Sequence, residues 1–189
     1  MNKHGSTAKN DVTAPLFLLV KYRLITLDTV LCPSSTQVRD TLGGRPLEER
    51  WNFTPWTEQA IQAPGSTLSY SFADQYAYVS KEYRPPPKVV PDFAVAADRN
   101  DSHDAFRASL PNATPEIIRA ANSWNHAQAG QNVLYNDGHV AWWDTPLCGH
   151  NRDNIYDGDA FQGARPADSP AHKNDSVLLP HWPIWFLGH

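Results

Sequence analysis

Gln131-Asn132-Val133-Leu134-Tyr135-Asn136-Asp137-Gly138-His139-Val140-Ala141-Trp142-Trp143 is the stretch that decides the fold. Two apolar, β-prone runs flank Asn136-Asp137-Gly138. Asp-Gly between such runs is a strong hairpin signal, because both residues tolerate positive φ. The stretch predicts antiparallel strands over 131–135 and 139–143. Side chains alternate across a strand, so adjacent Trp142 and Trp143 should point to opposite sides, with at most one in the core.

Further strands are read outward from this hairpin. Phe93-Ala94-Val95-Ala96-Ala97 is small and apolar and runs into polar Asp98-Arg99-Asn100, which suits a central strand. Thr67-Leu68-Ser69-Tyr70, continuing to Phe72, alternates with period two, and residues 75–79 extend it after a bulge. Ser176-Val177-Leu178-Leu179 reads as a last short strand. Pro85-Pro86-Pro87 is a stiff polyproline connector. For helices, Thr13 caps a segment over about 14–25, with Pro15 in its first turn and Leu16, Leu19, Val20 and Leu24 at helical spacing. A shorter helix near 36–42 would stop at Gly43-Gly44, and another starts at Thr114-Pro115-Glu116. The expected class is α+β: a single antiparallel sheet with an N-terminal helix and long ordered loops.

Composition supports short elements and narrows function. Proline occurs 16 times in 189 residues, above the usual ~5%, which disfavours long uninterrupted helices. One globular domain is expected over 13–180, after a flexible lead-in at 1–12 and before an apolar tail at 181–189. The net charge is −4, and the 16 Lys and Arg are scattered, so no basic face marks a nucleic-acid partner. No apolar run approaches the ~18–20 residues of a membrane span; the longest, Pro15 to Val20, stops at Lys21. Met1 to Ser6 precede no apolar signal region, so the sequence reads as cytosolic or as separated from an export segment. Cys32 and Cys148 permit one disulfide, and two buried free thiols fit the composition equally.

Several separate stretches carry a resemblance. Asn122-Ser123-Trp124-Asn125-His126, Gly130-Gln131-Asn132-Val133-Leu134-Tyr135 and Asp137-Gly138-His139-Val140 resemble the C-terminal region of the DUF1559 family of planctomycete pseudopilin-like proteins, with its H-X9-DG motif. Leu31-Cys32-Pro33-Ser34-Ser35, Ala97-Asp98-Arg99-Asn100, Asp153-Asn154-Ile155-Tyr156 and Asn174-Asp175-Ser176-Val177-Leu178-Leu179-Pro180 follow the same pattern in order. Ten residues rather than nine separate His126 from Asp137. The family's hydrophobic N-terminal helix, its anchor and stalk, has no counterpart in these residues. The resemblance implies a pilin-like head, an extracytoplasmic location at the periplasm or cell surface, and action through protein partners or self-association. A Cys32–Cys148 disulfide fits that oxidising location.

Chemistry-bearing residues suggest competing readings. His126, Asp137 and His139 lie around one hairpin and Asp98 ends a neighbouring strand. Two imidazoles with carboxylates suit zinc or another first-row ion, and hence a metal-dependent enzyme. Against this, Asp137 sits where a turn uses Asp to bond its own backbone. Asp153, Asp157 and Asp159 form an oxygen-rich loop suited to calcium, though without EF-hand spacing. Calcium or zinc are therefore the candidate cofactors. Trp51, Trp56, Trp142 and Trp143 could stack on a glycan, the mark of a binding module. No G-x-S-x-G elbow or phosphate loop is present. The favoured expectation is a non-enzymatic structural and assembly protein.

Overall fold

The computed structural model describes residues 12–53, 67–75, 85–100, 105–158, 170 and 172–179. Residues 1–11 of the expected lead-in, the tail at 181–189, Asp159, Trp56 and the extension over 76–79 lie outside the described residues; Val12, read as the end of a flexible lead-in, is instead buried with Val177 and Leu179. Among the described residues, no helix is long and apolar enough to cross a membrane.

The architecture is one antiparallel five-stranded sheet with few helices. The strands are β1 (Tyr70–Ala73), β2 (Ala94–Asp98), β3 (Gln131–Tyr135), β4 (Val140–Trp143) and β5 (Leu178–Leu179), in the order β4-β3-β2-β1-β5. Small side chains let β2 occupy the middle: Ala94 and Ala97 are buried against Phe93, Val133, Tyr135 and Ile155. The β2–β3 register runs from Ala94 opposite Tyr135 to Ala96 opposite Leu134. One extra β2 residue at Val95 is thus accommodated as a bulge. Beyond it, Ala97 faces Val133, which places Asp98 at the level of Asn132.

The hairpin forms as expected, with a different turn. Gly138 alone takes positive φ, +90°, while the Gly138 N–H donates to Tyr135 O and the Tyr135 N–H to His139 O. Asp137 needs no left-handed backbone, because Gly138 supplies the reversal. The turn is tied back to β2, since the Asn136 N–H donates to Phe93 O and Asn136 Oδ1 accepts the Val90 N–H.

Two clusters fill the sheet's faces. Tyr135, Ile155, Tyr156 and Leu178 pack with Phe93 and Cys148 on one side. Phe17, Val20, Val30, Phe53 and Leu68 form the other, with Phe72 of β1 packed against it. Phe17 and Phe53 meet edge to face at 5.1 Å. The first helix, α1, spans Ala14–Lys21, shorter than expected, because Arg23 takes φ +59° and turns the chain. Thr13 does not cap it: its hydroxyl instead donates to Asn52 Oδ1. Lys21 leaves the helix end to bond the carbonyls of Glu48 and Arg50, over the Trp51 ring. The second helix, α2, spans Pro115–Ala120, with Thr114 Oγ1 accepting the Ile117 N–H as its cap. The expected helix near 36–42 is absent; that stretch is irregular, and a 3-10 turn covers Leu42–Gly44 instead.

Gly130 leads into β3 at φ +154°. A Cβ there would lie 2.3 Å from Trp143 O and 2.7 Å from the Trp142 ring. The Trp143 carbonyl cannot retreat without disturbing the β3–β4 ladder, and the Trp142 ring would have to swing away. Gly130→Ala is expected to cost roughly 2–4 kcal/mol, the range of a steric conflict in packed backbone. Urea unfolding followed by tryptophan fluorescence measures it, and a loss below about 0.5 kcal/mol, typical of a neutral surface change, contradicts the close approach.

A candidate functional site around Asp98

Four side chains stand in a row across one face of the sheet. Tyr70 of β1 faces Asp98 of β2, Asp98 lies level with Asn132 of β3, and Asn132 faces Trp142 of β4. Alternation puts all four on the same side. The 3-10 turn Trp124–His126 covers the row. Its Asn125 is buried, and its His126 meets the Trp142 ring edge to face at 5.0 Å.

Asp98 is 1% exposed, and a carboxylate so placed must be compensated. Its Oδ1 accepts from Asn125 Nδ2 at 3.0 Å. Its Oδ2 accepts the Asn132 N–H at 2.7 Å and Asn132 Nδ2 at 3.1 Å, and lies 3.1 Å from His126 Nε2. Its backbone carbonyl accepts the Tyr156 hydroxyl at 2.7 Å. Neighbouring residues extend the network. Ser123 Oγ donates to Arg99 O, Asn100 Nδ2 to Ala121 O, Asn125 Nδ2 to Ser69 O, and the Ser123 N–H to Gln131 Oε1. Ser176 Oγ accepts the Ala94 N–H on the same central strand.

Cys32 completes the site, with its sulfur 3.6 Å from His126 Nε2. Burial, with the Asp98 charge adding to it, raises the thiol's pKa above its ordinary value, so at neutral pH it is a thiol and not a thiolate nucleophile. The geometry is also wrong for a relay. A nucleophile–His–carboxylate triad uses opposite ring nitrogens for its two partners, whereas Cys32 and Asp98 both approach Nε2.

The sequence-derived metal set is therefore corrected. Asp98 and His126 meet, but Asp137 and His139 do not join them. The turn lies beyond Tyr135, three residues and about 10 Å along β3 from Asn132. There Asp137 Oδ1 accepts the His139 N–H at 3.0 Å and lies 2.5 Å from His139 Nδ1. Those bonds lower the Asp137 pKa, and the His139 ring stacks on Tyr135 at 4.5 Å. Of the proposed calcium set, only Asp153 and Asp157 lie among the described residues, and each has other partners. Asp157 Oδ2 accepts from Ser109 Oγ, and Asp153 Oδ1 accepts the Asn154 N–H. Asp153 instead lies within 4.8 Å of His172 and Asp175.

The disulfide is corrected as well, since both cysteines are free and buried. Cys32 faces His126, while Cys148 packs in the Tyr135–Tyr156 cluster with its thiol toward Pro146 O. Burial pushes the Cys148 thiol up to about 12. The tryptophans do not build one platform among the described residues. Trp51 sits under Lys21, and Trp142 and Trp143 are 49% and 40% exposed on β4. A separate cleft of about 550 Å³, with His150, Asp153 and His172 on its wall, has no Trp, Tyr or Phe among the described residues of its lining. Nothing in the sequence pairs Cys32 with His126, because 94 residues separate them; the polar ending of β2 at Asp98 and the imidazole of His126 ahead of the hairpin are the sequence signals for this site.

Compared with family models, with curated proteins and with solved structures, the chain gives no match in any of the three.

Two outcomes test this geometry. Asp98→Ala should cost roughly 3–5 kcal/mol, since it strands several buried donors at once; Asp137→Ala at the exposed turn should cost far less. Urea melts of the two variants compare them, and equal losses contradict a central role for Asp98. Unreduced, unfolded protein should titrate two thiols with a chromogenic disulfide reagent, while in the native protein Cys148 stays unreactive. No thiols on unfolding would restore the Cys32–Cys148 bridge.

Proposed function

We propose that this chain is the globular part of a pseudopilin-like, secretion-associated surface protein, acting outside the cytoplasm through protein contacts and not by turnover. One observation carries the reading. The stretches that resemble the DUF1559 pattern converge on β2 and spend their polar side chains on one another. Asp98, Arg99 and Asn100 bond the loop 121–125, Tyr156 bonds Asp98, and Ser176 bonds Ala94. A motif whose Asp and Asn groups brace a sheet has a structural use, and Asp137 likewise serves its own turn. A contact role draws support from β4, an edge strand whose Val140, Trp142 and Trp143 are 62%, 49% and 40% exposed; unpaired edges with apolar side chains are natural docking elements. The location rests on the resemblance alone, because free cysteines remove the support that a disulfide would lend.

Expression from the native gene in its own cell tests the proposal. The protein should fractionate outside the cytoplasm and be digested by protease added to intact cells, and brief crosslinking should trap it in higher-mass species. Recovery solely from the cytosol, protected and monomeric, would falsify it.

A further inference from the structure

We propose that Cys32, Asp98 and His126 form a binding site for a zinc-class divalent ion, with one sulfur, one oxygen and one nitrogen ligand. The three donor atoms lie within 4.8 Å of one another. The measured edges are 3.6 Å from Cys32 Sγ to His126 Nε2 and 3.1 Å from Nε2 to Asp98 Oδ2. In tetrahedral zinc coordination, with Zn–S near 2.3 Å and Zn–N and Zn–O near 2.0–2.2 Å, those edges are about 3.5 Å and about 3.3 Å. These two edges therefore need shifts of only tenths of an ångström to close on an ion, and the third lies within 4.8 Å.

A neutral imidazole Nε2 is either a donor or an acceptor. With no ion between them, Nε2–H donates to Asp98 Oδ2 and the Cys32 thiol bonds the same carboxylate. A cation placed among the three atoms is served by all of their lone pairs at once.

The surroundings match what a ligating carboxylate requires. Metal-bound carboxylates are held by outer hydrogen bonds. Asn125 Nδ2 holds Asp98 Oδ1, and the Asn132 N–H holds Oδ2. On metal binding the imidazole contact on Oδ2 is exchanged for the ion, and the 3.1 Å bond from Asn132 Nδ2 yields room. Three protein ligands leave a fourth position, and the His126 side chain, 19% exposed, brings the site close to the surface. Thiolate with imidazole and carboxylate selects zinc or cobalt over magnesium or calcium. Asp137 and His139 take no part, which separates this site from the hairpin set read in the sequence.

The experiment uses the whole chain and the bare metals. Dialysed protein should bind one zinc ion per chain, and Co²⁺ should give a sulfur-to-cobalt charge-transfer band with tetrahedral d–d absorption. Cys32→Ser should abolish the charge-transfer band. His126→Ala should weaken zinc binding more than about 100-fold, beyond the loss of an outer-shell partner, whereas His139→Ala should leave it unchanged. Because a variant could unfold, the wild-type protein supplies its own check: saturating zinc should slow alkylation of Cys32 by about tenfold or more. Sub-stoichiometric zinc, a cobalt spectrum lacking the sulfur band, or binding that depends on His139 and not on Cys32 overturns the site.

Discussion

A buried carboxylate at the end of the central strand organises this molecule. Removing Asp98 from water is costly unless donors surround it, and the donors come from distant parts of the chain. Asn132 brings β3 into register, Asn125 and His126 pull down the turn before it, and Tyr156 ties in the C-terminal half through the neighbouring carbonyl. The anion thus acts as a locator. Apolar packing of alanines against Val133 and Tyr135 holds the sheet together, but such surfaces tolerate sliding, whereas hydrogen bonds to one carboxylate do not.

The bulge at Val95 and the glycine at 130 are the backbone conditions for that arrangement. Without the extra β2 residue, Asp98 would shift by one position against β3 and point to the opposite face. Without a bare Cα at 130, the Trp142 ring and the Trp143 carbonyl could not close over the start of β3. Trp142 in turn forms the wall against which His126 stands. Hairpin, bulge and turn therefore all bear on where Asp98 sits, and the polar residues there serve the fold and the proposed ion site together. A site that braces a scaffold is consistent with a protein that works by contact. Metal there would add a crosslink between three segments of chain.

Local chemistry was legible wherever it was self-contained. Asp137-Gly138 announces a reversal irrespective of what surrounds it, although one positive φ suffices where two were expected. Thr114 caps its helix within three residues. Thr13 fails as a cap because a tertiary partner, Asn52, claims its hydroxyl. The helix after it ends early because Arg23 turns left-handed while Lys21 is drawn to carbonyls in another loop. Periodicity carries none of that information.

The sequence by itself determined the hairpin, the alanine-rich central strand with its polar end and the α+β class. Each depends on neighbours along the chain or on composition. Only the tertiary structure decided which imidazole meets which carboxylate, that Cys32 and not Cys148 faces His126, and that His139 belongs to the turn and Tyr135. The pairings of His126 with Asp98 and Cys32 join residues tens of positions apart, and their geometry is set by strand register and by one bulge, where a shift of a single residue reverses every side chain's face.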